Sequence, residues 1–147
     1  MGQQQLLLII LSVIIVGIAI AVGINMFQTN AVDSNRQAVI GDVMNLGAKA
    51  HRYFRTPSSL AGGGQTFNGF FLTDKENHNP NGTYAVSTTE PSGTANVTAG
   101  TDSISGTTST SSIYIVASGV EKGNDGTNYV KVYATVTGSN VSTTVLN

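Results

Sequence analysis

Hydrophobic and polar positions divide the chain into three stretches. Residues 6–24 read LLLIILSVIIVGIAIAVGI, interrupted only by Ser12, Gly17 and Gly23, and the first charged side chain is Asp33. At helical rise this run reaches roughly 28 Å, about the hydrocarbon thickness of a bilayer. From Val32 the pattern turns periodic. Val32, Val39, Leu46 and Tyr53 recur every seven residues, Val43 and Ala50 fill the four-residue step, and Ile40, Met44, Gly47 and Phe54 widen the stripe. That is a helix with one face to bury. Asp33 and Asp42 lie early in it and Lys49, Arg52 and Arg55 late, the order a helix macrodipole favours. Pro57 ends it by pushing Thr56 out of the helical region. No proline or glycine pair separates the two stretches, so the pattern predicts one helix from Gln3 to Arg55, about 80 Å long.

After Ala61 the period becomes that of strands. Candidates are residues 66–72, 83–89, 112–118, 129–137 and 141–146. The segment 129–137 is the clearest, rich in β-branched and aromatic residues, with Lys131 and Thr135 of mixed polarity. Turn signals fall at Gly62-Gly63-Gly64, Asn79-Pro80-Asn81-Gly82, Pro91-Ser92-Gly93 and Asn124-Asp125-Gly126. The last predicts a hairpin with a long loop. The glycine triplet reads as a flexible connector. Residues 92–111 are nearly all Thr, Ser, Gly, Ala and Asn, which reads as a mobile or carbohydrate-bearing loop with a short strand near 95–98.

The expected fold is therefore α+β: a long N-terminal helix packed on a C-terminal antiparallel β-sheet head. Residues 1–56 form the helix, apolar over 1–31 and amphipathic over 32–56, and residues 57–147 form the head. The amphipathic half has a stripe the head can cover. The apolar half is greasy all round, so it must protrude and be buried by lipid or by copies of itself. Gly17, Ala19, Ala21 and Gly23 add small residues that let helix backbones approach closely in apolar surroundings.

Composition removes several function classes. Net charge is −1 with 10% charged residues, so no broad field draws the chain to nucleic acid or acidic lipid, and no direct nucleic-acid partner is expected. There is no cysteine, hence no disulfide and no thiolate chemistry. A cleaved secretory peptide is disfavoured, because no Lys or Arg precedes the apolar run and the helix continues beyond it. His51, beside Arg52, reads as a solvated side chain, and His78 belongs to a polar loop. No serine sits in a G-x-S-x-G turn, and the glycine triplet is followed by neither helix nor lysine. No enzyme and no cofactor are expected. Oxygen-rich loops around Asp74 and Glu76, and around Asp125, are weak calcium candidates that do not fit the spacing of a known calcium loop. Asn81, Asn96 and Asn140 each begin an N-x-[ST] sequon, a number that chance supplies in so Asn-, Ser- and Thr-rich a chain. With only Phe27, Tyr53 and Phe54 as aromatics, the helix offers no continuous electron-hopping path.

The charge-free apolar N-terminus, its amphipathic continuation and the small β-rich head together resemble a mature type IV pilin. The specific part of the resemblance runs from Met1 to about Arg55. It implies a structural filament subunit, a major pilin, whose helices form the filament core and whose heads form its surface. Self-assembly would then fall to Met1, Gln5, Leu6, Leu7, Leu8, Ile9, Ile10 and Leu11, then Val13, Ile14, Ile15, Val16, Gly17 and Ile18, and finally Ile20, Val22, Gly23 and Ile24. The resemblance also implies an inner (cytoplasmic) membrane stage, leader removal by a prepilin peptidase, N-terminal methylation, and packing by an assembly ATPase and a platform protein into an extracellular homopolymer. Adhesion, motility or DNA uptake would follow from the filament.

Two departures stand out. The family usually carries glutamate at the fifth mature position, where this chain has Gln5, and Gln3 is an alternative mature start. The usual mid-helix proline is missing, which makes residues 17–23 the stretch most prone to loosen, since glycine weakens a helix by roughly 1 kcal/mol. A divergent bacterial or an archaeal-type pilin fits better than a standard proteobacterial one. The alternatives are a minor pilin or pseudopilin of a secretion or uptake machine, and a bitopic membrane-anchored binding domain.

Overall fold

The structure, a computed structural model, describes residues 2–91 and 111–147. Helix α1 runs unbroken over Gly2–Arg55, as its pattern predicts. A 3-10 turn at Ser58–Leu60 and a four-residue helix α2, Asp74–Asn77, lead into the sheet. Its strands are β1 (His78–Asn79), β2 (Gly82–Ser87), β3 (Ser112–Lys122), β4 (Tyr129–Thr137) and β5 (Val141–Val145). They form a simple antiparallel meander in the order β1-β2-β3-β4-β5. The class is α+β, with the long helix laid on a five-stranded antiparallel sheet.

Strand register sets the core. Val86 pairs with Ile115, which pairs with Ala134, and Tyr84 pairs with Ala117, which pairs with Val132. Because side chains alternate along a strand, these rows share one face. Val39, Val43, Leu46 and Ala50 of α1 are buried in the same cluster. The heptad stripe therefore meets the sheet, with Val32, Ile40, Tyr53 and Phe54 at its margins. Met44, expected to widen the stripe, points out instead and is 42% exposed. The other sheet face is also buried at Val116, Ser118, Tyr133 and Lys131. Burial pushes the Lys131 ammonium below its ordinary pKa against the opposing pull of Asp125.

Strands 83–89, 112–118, 129–137 and 141–146 appear within a few residues of their expected bounds. The long hairpin loop shrinks because β3 continues to Lys122, across a register shift between Ser118 and Lys122. Residues 66–72 are not a strand. Gly69 adopts φ 82°, which breaks the extended run, and Phe67, Phe70 and Leu72 turn inward to close the core. Phe67 meets Phe54 with ring centroids 4.8 Å apart and Phe70 meets Tyr53 at 5.6 Å, both pairs tilted. The expected strand near 95–98 lies outside the described residues.

The glycine triplet is no loose connector. Gly63 N donates to Tyr53 O, Gly64 N to Thr56 O and Gln65 N to Phe54 O, each at 2.9 Å. These bonds satisfy carbonyls that a helix C-terminus otherwise leaves unpaired. A Cβ on Gly63 would fall 1.9 Å from Thr66 O, so only glycine allows so close a turn. His51, expected to be solvated, lies with Nε2 3.2 Å from Gly138 O and joins α1 to the β4–β5 turn.

Candidate functional site: the protruding helix

One helix changes surroundings along its length. From Val32 onward α1 is held to the head by packing and by a polar seam. Asp42 Oδ2 accepts from Tyr84 Oη at 2.7 Å, Asn81 Nδ2 at 2.8 Å and Asn79 Nδ2 at 2.9 Å. Burial raises the Asp42 carboxyl, but its bonds to Asn81, Tyr84 and Asn79 together outweigh that and hold it below its ordinary pKa. Burial, then the Asp42 carboxylate, push the Tyr84 hydroxyl far above the usual phenol value. Asn35 Nδ2 donates to Asn81 O at 2.9 Å, and Lys49 Nζ reaches Glu76 Oε2 at 2.6 Å. No pattern in the chain announces this seam beyond an acid on the flank of the apolar stripe.

Before Val32 none of this applies. The large side chains from Leu6 to Ile24 are 49–67% exposed, and Phe27 is 78% exposed. Residues 2–31 project about 45 Å along the helix axis without burying a side chain in the head. At roughly 1.5–3 kcal/mol per large apolar side chain, hiding residues 6–24 from water is worth on the order of 20–40 kcal/mol. These side chains are already about half covered by the helix itself, so that sum is an upper bound, and it favours an apolar surrounding for the stretch. By length and composition, α1 is able to cross a membrane.

The expected assembly residues Gln5, Leu6–Leu11, Val13–Ile18, Ile20, Val22, Gly23 and Ile24 all lie on this projection, while Met1 is outside the described residues. The small residues are not one strip. At 100° per residue, Gly17 and Ala21 share one face, and Ala19 and Gly23 share another nearly opposite. Each pair has the four-residue spacing that admits a close helix neighbour.

The remaining candidates are structural in this geometry. Glu76 accepts from the Thr73 amide and hydroxyl as well as from Lys49, closing a capping box on α2. Asp125 accepts from the Thr127 and Asn128 amides and from Asn128 Nδ2, which folds the β3–β4 turn. Asp74 is exposed. Among the described residues no group of three or more His, Asp or Glu could hold a metal ion. Of the sequons, Asn81 has its amide nitrogen on Asp42, Asn140 is exposed in the β4–β5 turn, and Asn96 lies outside the described residues. No protein-family model, curated protein or solved structure matches the chain.

Proposed function

We propose that this chain is the structural subunit of an extracellular type IV pilus-like filament, polymerising through residues 6–24. One observation carries the reading: a single unbroken helix is sheathed by its own head after Val32 and wholly unsheathed before it. A plain anchor has no need of a rigid helix continuing to Arg55. Small-residue pairs on two nearly opposite faces favour neighbours on both sides, as a head-to-tail polymer requires. The subunit has no enzymatic role in this reading, and its partners are copies of itself, the membrane before assembly, and the peptidase, ATPase and platform protein that pilin resemblance implies.

Electron microscopy and mass spectrometry of material sheared from cells test it. The expected result is thin filaments with this chain as their main subunit. Recovery only from the membrane fraction, never in sheared material, would sink the proposal. Ile14→Asp separates the anchored-domain alternative, because it should abolish filaments while leaving the head folded.

A further inference from the structure

Strand β5 ends the sheet on one side, and no described strand flanks it there. Thr137 N donates to Asn140 O at 2.8 Å and Leu146 N to Lys131 O at 2.9 Å, one bond at each end of the β4–β5 ladder. Antiparallel bonding alternates, so Ser142 and Thr144 direct their backbone groups at β4, while Val141, Thr143 and Val145 turn theirs outward. Residues 142–145 are exposed, so no described residue covers that edge. The devices that blunt an edge strand (proline, charge, bulge) are absent from Val-Ser-Thr-Thr-Val. The opposite edge is guarded: β1 has two residues, Pro80 follows it, and its Asn79 is held by Asp42.

The strand is its own complement. A two-fold axis through Thr143, perpendicular to the sheet, sets two β5 strands antiparallel, with Thr143 facing Thr143, Val141 facing Val145 and Ser142 facing Thr144. Outward-turned residues then meet outward-turned residues, and each such pair exchanges both of its backbone bonds. The side chains meet valine on valine and hydroxyl on hydroxyl, with no like charges opposed.

The same axis fixes how the helices run. Arg36 Nη2 donates to Asn147 O at 3.3 Å just past the end of β5, and His51 Nε2 lies 3.2 Å from Gly138 O before its start. Helix α1 therefore runs alongside β5 in the opposite direction, and reversing β5 reverses α1. Two chains paired this way send their apolar projections opposite ways, which excludes a shared membrane face or a shared polar filament. We propose that β5 is a lateral docking edge whose occupant is β5 of a second copy, in a neighbouring filament of opposite direction. The inference rests on the filament reading above. A single pair of strands is marginal in water, so an isolated head stays monomeric, whereas filaments repeat the contact many times and hold.

Filaments sheared from cells are imaged by electron microscopy for side-by-side bundles, using the native chain, Thr143→Lys, Thr143→Glu and Thr89→Lys. Thr89 is exposed beyond β2, away from β5, and its variant controls for added charge. Native and Thr89→Lys filaments should bundle. Thr143→Lys and Thr143→Glu filaments should stay single, because the axis sets each new charge against its own copy. Mixing the two kinds should restore bundles, which also shows that both variants fold. Native filaments that never bundle, Thr143 variants that bundle alone, or a mixture that stays dispersed each overturn the β5 pairing and leave the filament standing. Dispersal by Thr89→Lys as well assigns bundling to general surface charge and overturns it too. A native chain that forms no filaments overturns the proposed function, and this inference with it.

Discussion

The Tyr84 hydroxyl of β2 donates to Asp42 Oδ2 of α1 at 2.7 Å, joining sheet and helix across 42 residues of sequence. Tyr84 is fully buried, so its hydroxyl would otherwise be left without water. Asn79 of β1 and Asn81 of the β1–β2 turn donate to the same oxygen. One carboxylate thus fixes where the sheet edge sits along the helix.

The first expectation concerns that carboxylate. Tyr84→Phe should cost about 1.5–3 kcal/mol, the range for a hydrogen bond to a charged group. The folded Asp42 carboxyl lies below its ordinary value of 3.8, so its contribution is fully present above that value and lost as pH falls through the lower folded one. The stability gap between the native chain and Asp42→Ala should therefore narrow below about pH 4. Urea unfolding across pH measures it, and a gap that persists undiminished in strong acid rules the carboxylate out as the cause.

Glycines on the two sides of α1 should respond oppositely. A Cβ on Gly47 would fall 2.7 Å from Val141 Cγ1 and 3.5 Å from Val136 Cγ2, whereas one on Gly41 meets nothing within 4 Å among the described residues. Gly47→Ala should destabilise by about 1–3 kcal/mol through overpacking, less a helix-propensity gain of up to about 1 kcal/mol. Gly41→Ala keeps only the gain. Thermal melts should move in opposite directions, and equal shifts would refute the close approach of helix and sheet at Gly47.

On the projection, stability and assembly should part company. A Cβ on Gly17 or Gly23 meets no atom within 4 Å among the described residues, so Gly17→Ala and Gly23→Ala should strengthen the helix of the single chain by up to about 1 kcal/mol each. If sister helices approach closely there, the same changes lower filament yield. Circular dichroism in detergent and filament counts from sheared cells read the two effects, and undiminished filaments would place the close contacts elsewhere.

Residues 1–25 should be dispensable for the head. Their described side chains are unburied apart from the half-buried Gly23. A chain beginning at Met26 should be monomeric, soluble without detergent, and melt within a few degrees of the full chain's head, since a loss of 1 kcal/mol moves Tm by roughly 4–8 °C in a domain of this size. An unfolded fragment would mean that the projection supports the head after all.

The sequons should separate as well. Asn81→Gln displaces a side-chain amide that donates to Asp42 at 2.8 Å, and should cost about 1 kcal/mol or more. Asn140→Gln, in an exposed turn, should be near neutral. In cells that attach glycan to the folded head, glycopeptide mapping should find it on Asn140 and not on Asn81; glycan on Asn81 would show modification before folding.

Legibility followed the range of the interactions. The span of α1 was readable because uniform greasiness, a heptad stripe and a terminal proline are local properties of Leu6, Val39 and Pro57. Strand 129–137 was readable because β-branched alternation is local too. Residues 66–72 misled because Phe67, Phe70 and Leu72 are buried without regular alternation, around a left-handed Gly69. His51 and the glycine triplet misled for another reason: their roles depend on partners brought close only by folding, Gly138 O for one and the last carbonyls of α1 for the other.

The order of residues was enough to show that an apolar helix too greasy for water runs into an amphipathic one, and that a strand-rich head follows. Those facts rest on hydropathy and backbone preference, which each segment carries alone. Where the sheath ends and which acid locks the sheet edge came from the tertiary structure alone. These depend on strand register and on the rotation of α1 against the sheet. Both are settled by packing among residues far apart in the chain, with Val39 and Val43 of the helix and Ala117 and Val132 of the sheet buried in one cluster.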